Sequence, residues 1–202
     1  MIKSEQKYSF VKGPDRTVSL NDSELEGLLL RARLMDSQAL GQLHDLYYPQ
    51  IYRYIYFCLN DDQASQEMTD AVLLGLLDSL PRGLPSKDKL DGWLLKSADK
   101  QILDYRRRIG KSRTVETGQN GTENPVMSDT ANPQKETYQG RRLVQLALCQ
   151  LDPEQQRILA LRYTQALSPD EIASLTGSKL AEVKNLQYRA LQLLRHFLEA
   201  AA

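Results

Sequence analysis

Apolar residues recur at intervals of three and four along most of this chain, and this spacing constrains the fold more than any other feature. A clear case is the series Leu90, Leu94, Ala98 and Ile102. Residues at this spacing lie on one face of an α-helix, whereas a strand needs strict alternation. Runs of Val, Ile and Thr are nearly absent, and long segments are rich in Leu, Ala, Gln, Arg and Glu. The sequence therefore predicts an all-α protein.

Four helices are predicted in the first half of the chain. Asn21-Asp22-Ser23, Asp36-Ser37 and Asn60-Asp61-Asp62 provide side chains that cap helix N-termini. Pro81-Arg82-Gly83-Leu84-Pro85 is a hard break, and a fourth helix follows from about Lys87 to Arg108. We expect these helices to form a four-helix bundle.

A flexible linker is predicted between two helical domains. Gly110 is expected to end the fourth helix, and residues 111–138 lack an apolar period and contain Gly, Asn, Pro, Ser and Thr throughout. Such a segment cannot bury enough apolar surface to order itself. The predicted organisation is a flexible arm at 1–20, a first domain at 21–110, the linker at 111–138 and a second domain at 139–202.

The formal net charge is zero, but the charges are unevenly distributed. Residues 22–78 hold ten Asp or Glu and three Lys or Arg, a net charge of −7. Residues 82–113 hold ten Lys or Arg and four Asp or Glu, a net charge of +6. An acidic surface beside a basic stripe indicates two partners of opposite character.

The second domain contains the pattern of a helix-turn-helix. Ser168 and Glu171 form a predicted capping box for a short helix, Gly177 ends it, and a long helix runs from about Ser178 to Glu199. The outward residues near the start of the long helix are polar or basic and long enough to reach bases or phosphates: Lys179, Glu182, Lys184, Asn185, Tyr188, Arg189, Gln192 and Arg195. The alternative is a solvated face on an ordinary helical hairpin. The cap, the glycine and the polar face together favour DNA binding.

Motifs in both domains resemble those of one protein family. Leu167-Ser168-x-x-Glu171-Ile172-Ala173 resembles its "LSYEEIA", and Glu182-Val183-Lys184-Asn185 resembles the start of "TVKSRLHRA". Leu90-Asp91-Gly92-Trp93-Leu94-Leu95, with the later Asp104-Tyr105-Arg106-Arg107-Arg108, resembles "LRTWLLRIARN…DYLRRR". The chain is thus similar to small bacterial sigma factors of the extracytoplasmic-function type. Its first domain resembles region 2 and its second domain resembles region 4.

This resemblance implies a sigma factor that binds core RNA polymerase and directs it to promoter DNA for transcription initiation. In the first domain it implies contacts to unpaired minus-ten DNA by Lys87, Lys89, Trp93, Lys96, Lys100, Arg106, Arg107 and Arg108. In the helix-turn-helix it implies contacts to double-stranded minus-thirty-five DNA by Ser168, Lys179, Lys184, Asn185, Tyr188 and Arg189. The acidic stretch implies polymerase contacts by Asp61, Asp62, Glu67 and Asp70.

Some positions depart from the family pattern, which keeps other functions open. Asp91-Gly92 stands where Arg-Thr is usual, and Leu186 stands where the reading helix usually has Arg. Each change removes a DNA or polymerase contact. A second hypothesis is therefore a sigma-like interaction protein that binds an anti-sigma factor without initiating transcription. A third, a helix-turn-helix regulator whose first domain only dimerises, is opposed by the order of the domains and the linker.

No enzyme site, cofactor or metal site is predicted. The two histidines, His44 and His196, are isolated, and Cys58 and Cys149 have no metal-ligand spacing. We expect both cysteines to be buried free thiols in a reducing cytoplasm. Because no apolar run approaches the roughly 18–20 residues of a membrane span, the sequence predicts a cytoplasmic protein without membrane insertion.

Overall fold

The structure, a computed structural model, describes residues 22–83, 87–115 and 134–200. Over these ranges it contains eight α-helices and no strand, which confirms the all-α prediction. The helices are α1 (Asp22–Arg33), α2 (Ser37–Leu59), α3 (Asp62–Ser79), α4 (Lys87–Val115), α5 (Gln134–Cys149), α6 (Pro153–Thr164), α7 (Pro169–Thr176) and α8 (Leu180–Ala200).

The helix starts follow the capping residues of the sequence. The Asp36 carboxylate accepts hydrogen bonds from the amides of Gln38 and Ala39, at 2.9 and 3.2 Å, and so begins α2. Asn60 ends α2 in the left-handed conformation, with φ of 53°. Asp61 then caps α3. A cap of this kind typically contributes about 1 kcal/mol, because it satisfies an amide that the helix leaves without a partner.

The predicted apolar stripes form the core of the first domain, α1–α4. The stripe of α3 is buried at Met68, Val72, Leu73 and Leu76, with Leu80 just beyond the helix end. The stripe of α4 is buried at Leu90, Leu94, Ala98 and Ile102. The helix α2 packs against α1, α3 and α4. These contacts make α2 the central helix of the bundle.

The end of the fourth helix and the predicted linker differ in part from expectation. The helix α4 continues to Val115, beyond the predicted end at Arg108, and α5 begins at Gln134. Gly110 lies inside α4; a glycine costs a helix interior only about 1 kcal/mol and does not by itself end a helix. The middle of the predicted linker, residues 116–133, and the predicted arm, residues 1–20, lie outside the described residues.

The helical spacing of the apolar residues in α5 and α8 predicts that they lie inside the second domain, but several of them are exposed. Leu193 and Phe197 of α8, and Leu143 and Leu146 of α5, have exposed side chains. The buried contacts of α8 are at Val183 and Ala190, and its later turns pack less closely against neighbouring helices. Cys149 is also exposed, so the expectation of two buried thiols is wrong for this residue.

The second domain, α5–α8, packs on the first domain through α2. The helix α6 lies along α2, and buried side chains of both domains belong to one continuous apolar cluster. The Gln165 side chain donates a buried hydrogen bond of 3.1 Å to the Gln50 carbonyl oxygen. None of the helices in the described ranges is long and apolar enough to cross a membrane.

Candidate nucleic-acid interface

Two local features fix the two ends of α7, the first helix of the helix-turn-helix. The Ser168 amide donates to the Glu171 carboxylate at 2.7 Å, and the Glu171 amide donates to the Ser168 hydroxyl at 3.3 Å. This is the predicted capping box, and Pro169 occupies the first turn of α7. Gly177 ends α7 with φ of 74°, a backbone conformation that glycine adopts without strain. The Ser168 side chain therefore fixes the start of α7.

The long helix α8 presents a polar face away from the rest of the domain. Val183 and Ala190 are buried and hold the helix in place. The residues predicted to contact DNA lie on the other side and are exposed: Lys179, Lys184, Asn185, Tyr188 and Arg189. The structure thus brings five of the six predicted residues onto one accessible surface, with Ser168 used as a cap. We call this surface the α8 face.

Most of the described basic residues of α4 are accessible to solvent, whereas Arg106 forms hydrogen bonds within the chain. Lys96, Lys100, Arg107 and Arg108 are exposed. Arg107 lies 3.7 Å from the Asp104 carboxylate, but both side chains are exposed and such a pair contributes little. The side chains of Lys87 and Lys89 lie outside the described residues, although the backbone of both belongs to α4.

Two α4 residues that were predicted to contact DNA instead contact other parts of this chain. The Arg106 guanidinium donates to the Cys58 carbonyl oxygen at 2.9 Å and to the side-chain oxygen of Gln156 in α6. The Trp93 ring is half-buried and packs against the core, near Gly75 of α3. In this conformation neither side chain is free to contact a base.

The four acidic residues predicted to contact polymerase lie at the cap and in the first half of α3, and they occupy different environments. Asp61 accepts hydrogen bonds from the Ala64 amide at 3.0 Å and from the Tyr105 hydroxyl at 2.7 Å. Both hydrogen bonds lower the pKa of Asp61, and the bond from the Ala64 amide has the larger effect. The Asp61 carboxylate in turn raises the pKa of Tyr105 to about 12. Asp61 is therefore a structural cap as well as a surface carboxylate.

The other three acidic residues are exposed. Asp62 accepts hydrogen bonds from the Tyr52 hydroxyl and, at 3.0 Å, from the Gln66 side chain. The Gln63 side chain donates to Glu67 at 3.0 Å. Within the described part of the chain, neither these carboxylates nor Asp70 form an ion pair with Lys or Arg. We call Asp62, Glu67 and Asp70 the acidic face of α3.

A stripe of tyrosines beside this acidic face was missed in the sequence. Tyr48, Tyr52 and Tyr56 stack along α2, with ring centroids 6.3 and 5.8 Å apart. The negative charges of Asp70 and Asp62 contribute to a raised pKa of Tyr48, after the larger effect of burial. The spacing of four residues is visible in the sequence and could have indicated the stripe.

Comparison with known protein families assigns both domains. The profile of sigma-70 region 2 matches residues 43–112, and the profile of sigma-70 region 4 matches residues 141–194. The chain belongs to the sigma-70 family. The region 2 match covers α2, α3 and most of α4, and the region 4 match covers the helix-turn-helix with the two helices before it. The resemblance inferred from the motifs is confirmed.

Individual relatives place the chain among the extracytoplasmic-function sigma factors. It is 28% identical over 171 residues to the sigma factor BldN of Streptomyces coelicolor, a match that spans 85% of this chain and 64% of BldN. It is 24% identical to SigX of Bacillus subtilis, over 78% of this chain and 82% of SigX. It is 26% identical to SigK of Mycobacterium tuberculosis H37Rv, over 94% of this chain and 99% of SigK.

The fold of this sigma factor also matches a solved structure. The structure of CnrH in complex with the cytosolic domain of CnrY aligns with a TM-score of 0.62 at 16% identity, over 87% of this chain and 97% of CnrH. At this identity the comparison supports the fold alone. Sigma factors are transcription initiation factors and not enzymes.

Proposed function

We propose that this sigma factor binds core RNA polymerase and directs it to promoter DNA. The observation that carries the proposal is the α8 face, an accessible polar and basic surface behind a capped turn in a domain that matches region 4. The chain spans 64% of BldN but nearly all of SigK. Regions 2 and 4 of the family are both present, in that order.

The minus-thirty-five element is read by α8 in the major groove. Asn185 can pair with the edge of an adenine through two hydrogen bonds, whereas Lys184 and Arg189 reach guanine or phosphate. The N-terminus of a helix also carries partial positive charge, which favours nearby phosphate. Val183 and Ala190 hold the helix from the opposite side, so these residues reach DNA without disturbing the core.

The minus-ten element is captured as unpaired DNA along α4. Lys96, Lys100, Arg107 and Arg108 are accessible and track the phosphates. Trp93 and Arg106 join it only after their present contacts are released.

The acidic face of α3 binds the polymerase. Its carboxylates lack ion-pair partners among the described residues, so they can accept basic side chains of a protein partner without first breaking an ion pair. Asp61 contributes chiefly by holding the start of α3 and the Tyr105 hydroxyl.

A binding experiment with core polymerase tests this assignment. Asp62→Lys combined with Asp70→Lys reverses two charges on the acidic face, and we expect at least about tenfold weaker binding, or roughly 1.4 kcal/mol. Asp78→Lys is the control, since Asp78 is exposed on the same helix but lies about 12 Å beyond Asp70 along its axis, at 1.5 Å per residue. Equal affinity for all variants would show that α3 does not bind the polymerase.

An anti-sigma factor remains the second candidate partner. One observation favours it: a solved structure with this fold is that of CnrH in complex with the cytosolic domain of CnrY. A sigma-like protein that only binds such a partner would form a complex with it and would give no transcript with core polymerase.

A further inference from the structure

A cavity of about 580 Å³ lies between α2, α5 and α6. The described residues that line it include none of the predicted DNA or polymerase contacts. Much of its wall is apolar and comes from one face of α2 and one face of α5, through the side chains of Tyr56, Phe57, Cys58, Val144, Leu148 and Cys149. Small-molecule sites in proteins are typically apolar cavities of about 300–1,000 Å³ that contain a few polar groups. The cavity therefore has the size and the lining of such a site.

Several polar side chains of the cavity wall already have hydrogen-bond partners within the chain. The Gln145 side chain of α5 donates to the Tyr56 hydroxyl of α2 at 3.2 Å. The Gln156 side chain of α6 donates to the Leu148 carbonyl oxygen at 2.6 Å. These groups join the three helices around the cavity, and they need no ligand to satisfy them.

The Arg53 guanidinium of α2 differs from these groups. Its Nε donates to the Pro49 carbonyl oxygen at 3.1 Å, and its terminal nitrogens have no hydrogen-bond partner among the described residues. No carboxylate in the described ranges forms an ion pair with Arg53, which is half-buried. Among the described residues that line the cavity, Arg53 alone carries a charge. A guanidinium can donate two parallel hydrogen bonds to a carboxylate, so Arg53 favours an anionic ligand.

The charge and the length of the cavity limit the kind of anion. One guanidinium matches one negative charge, whereas a phosphate monoester carries about −1.5 to −2 charges at pH 7. The lining residues of α5 extend from Gly140 to Cys149, which is about 13.5 Å along the helix at 1.5 Å per residue. With carbon–carbon bonds of about 1.5 Å, an extended chain of roughly ten carbons has a similar length.

We propose that the cavity between α2, α5 and α6 binds a medium-chain carboxylic acid, with the carboxylate on Arg53 and the alkyl chain against the apolar side chains of α2 and α5. Burial of the alkyl chain supplies the hydrophobic part of the binding, and the guanidinium orients the ligand. The inference does not rest on the proposed function. Every contact it requires lies within this chain, and its test uses neither polymerase nor DNA.

The experiment titrates the full chain with decanoate, below the concentration at which decanoate forms micelles, by isothermal titration calorimetry. Arg53→Gln removes the charge, and Val144→Trp fills part of the cavity. Arg31→Gln is the control for the first variant, since Arg31 is exposed on α1. Leu146→Trp is the control for the second, since Leu146 is exposed on α5 and does not line the cavity. Circular dichroism checks that every variant keeps its helices.

The Cys149 thiol reports whether the bound molecule lies in this cavity. Cys149 lines the cavity and is exposed, whereas Cys58 is buried, and burial raises the pKa of the Cys58 thiol to about 12. Because the thiolate is the reactive form, iodoacetamide at mildly alkaline pH modifies Cys149 and spares Cys58. A ligand in the cavity covers Cys149 and slows this reaction.

We expect wild type and both controls to bind decanoate. Only the ligand-free fraction reacts, so alkylation of Cys149 should slow about tenfold when decanoate is at about ten times its dissociation constant. Arg53→Gln should weaken decanoate binding at least about tenfold, because charge-assisted hydrogen bonds are lost. Val144→Trp should abolish both the binding and the protection of Cys149. Decan-1-ol and decyltrimethylammonium, which have the same chain without the carboxylate, should bind wild type at least about tenfold more weakly than decanoate does.

Three outcomes would overturn the inference. Binding of decan-1-ol or decyltrimethylammonium as tight as that of decanoate would show that the cavity does not recognise an anion. Decanoate binding that leaves the alkylation of Cys149 unchanged would mean that the ligand lies elsewhere on the chain. A wild-type chain that binds no decanoate at millimolar concentration would exclude the site, whatever the activity of the chain in transcription.

Discussion

Two aspartates in the first domain show that the same type of side chain can have a lowered or a raised pKa, depending on its surroundings. Asp61 is a helix cap whose pKa is lowered by donated hydrogen bonds, whereas Asp99 is largely buried and its pKa is raised by desolvation. Capping was predictable, because Asn60-Asp61-Asp62 lies between two apolar stripes. The role of Asp99 was not, because nothing local in the sequence reveals a partner in another domain.

The Asp61 cap makes a testable contribution to stability. Since its folded pKa is lowered, this contribution is present above the unfolded value of 3.8 and is lost as the pH falls through the folded pKa. We expect Asp61→Ala to lower the free energy of unfolding by about 1 kcal/mol at pH 7. The difference in free energy of unfolding between this variant and wild type should become smaller below about pH 4. Urea denaturation over a pH series measures this, with the exposed Asp78→Ala as control; a difference independent of pH would contradict it.

Substitutions of single residues on the α8 face distinguish contacts to bases from contacts to phosphates. Asn185→Ala should reduce discrimination at one base pair by roughly 1–3 kcal/mol, because a pair of hydrogen bonds to a base is lost. Lys184→Ala should weaken binding about equally on all sequences if it meets phosphate. Binding of the full chain to single-base variants of the upstream element distinguishes the two. No change for either variant would mean that this surface does not meet DNA.

At the scale of elements, helix starts were predicted better than helix ends and exposed faces. Asp36, Asp61 and Ser168 begin helices as expected, because capping is local chemistry. The end of α4 was predicted too early, since the cost of a single glycine is too small to end a helix by itself. The exposure of Leu193 on α8 depends on which helices lie nearby. The spacing of apolar residues within α8 does not reveal those neighbours.

The turn of the helix-turn-helix offers a prediction at this scale. Gly177 has φ of 74° with open space around its Cβ position. Gly177→Ala should therefore destabilise the fold by about 1–2 kcal/mol through backbone strain alone. Ser168→Ala should cost about 0.5–2 kcal/mol through the lost cap. Chemical denaturation measures both, and Ser174→Ala, at an exposed position of α7, is the control. Unchanged stability for Gly177→Ala would contradict the left-handed turn.

The basic stripe of α4 gives a second prediction for an element. Arg107→Glu with Arg108→Glu should weaken binding to promoter DNA and reduce its dependence on salt, because fewer counterions are released. The slope of log affinity against log salt should become shallower by roughly 1.4, about 0.7 for each lost contact to single-stranded DNA. Arg106 is left unchanged, since its substitution would also alter the contact with Gln156. An unchanged slope would mean that this stripe is only solvated.

At the scale of the whole molecule, the two-domain all-α fold was predicted from the sequence, but the packing of the domains was not. Order, helix period and motif spacing were sufficient to identify regions 2 and 4. The contacts of Arg157 with Asp99 and of Gln165 with Gln50 join residues far apart in sequence, and no periodicity links them. The departure at Gly92 was interpreted as a lost contact, whereas in the fold it makes room for Leu175.

Run-off transcription tests the sigma-factor function most directly. Core RNA polymerase alone and core with this chain are compared on a set of genomic promoter fragments, with the Asn185→Ala variant included. We predict discrete transcripts from a subset of fragments only when the chain is added, and an altered choice of fragments with the variant. A chain that binds core polymerase but yields no fragment-specific transcript would contradict the account, and would leave a sigma-like protein that serves only to bind a partner.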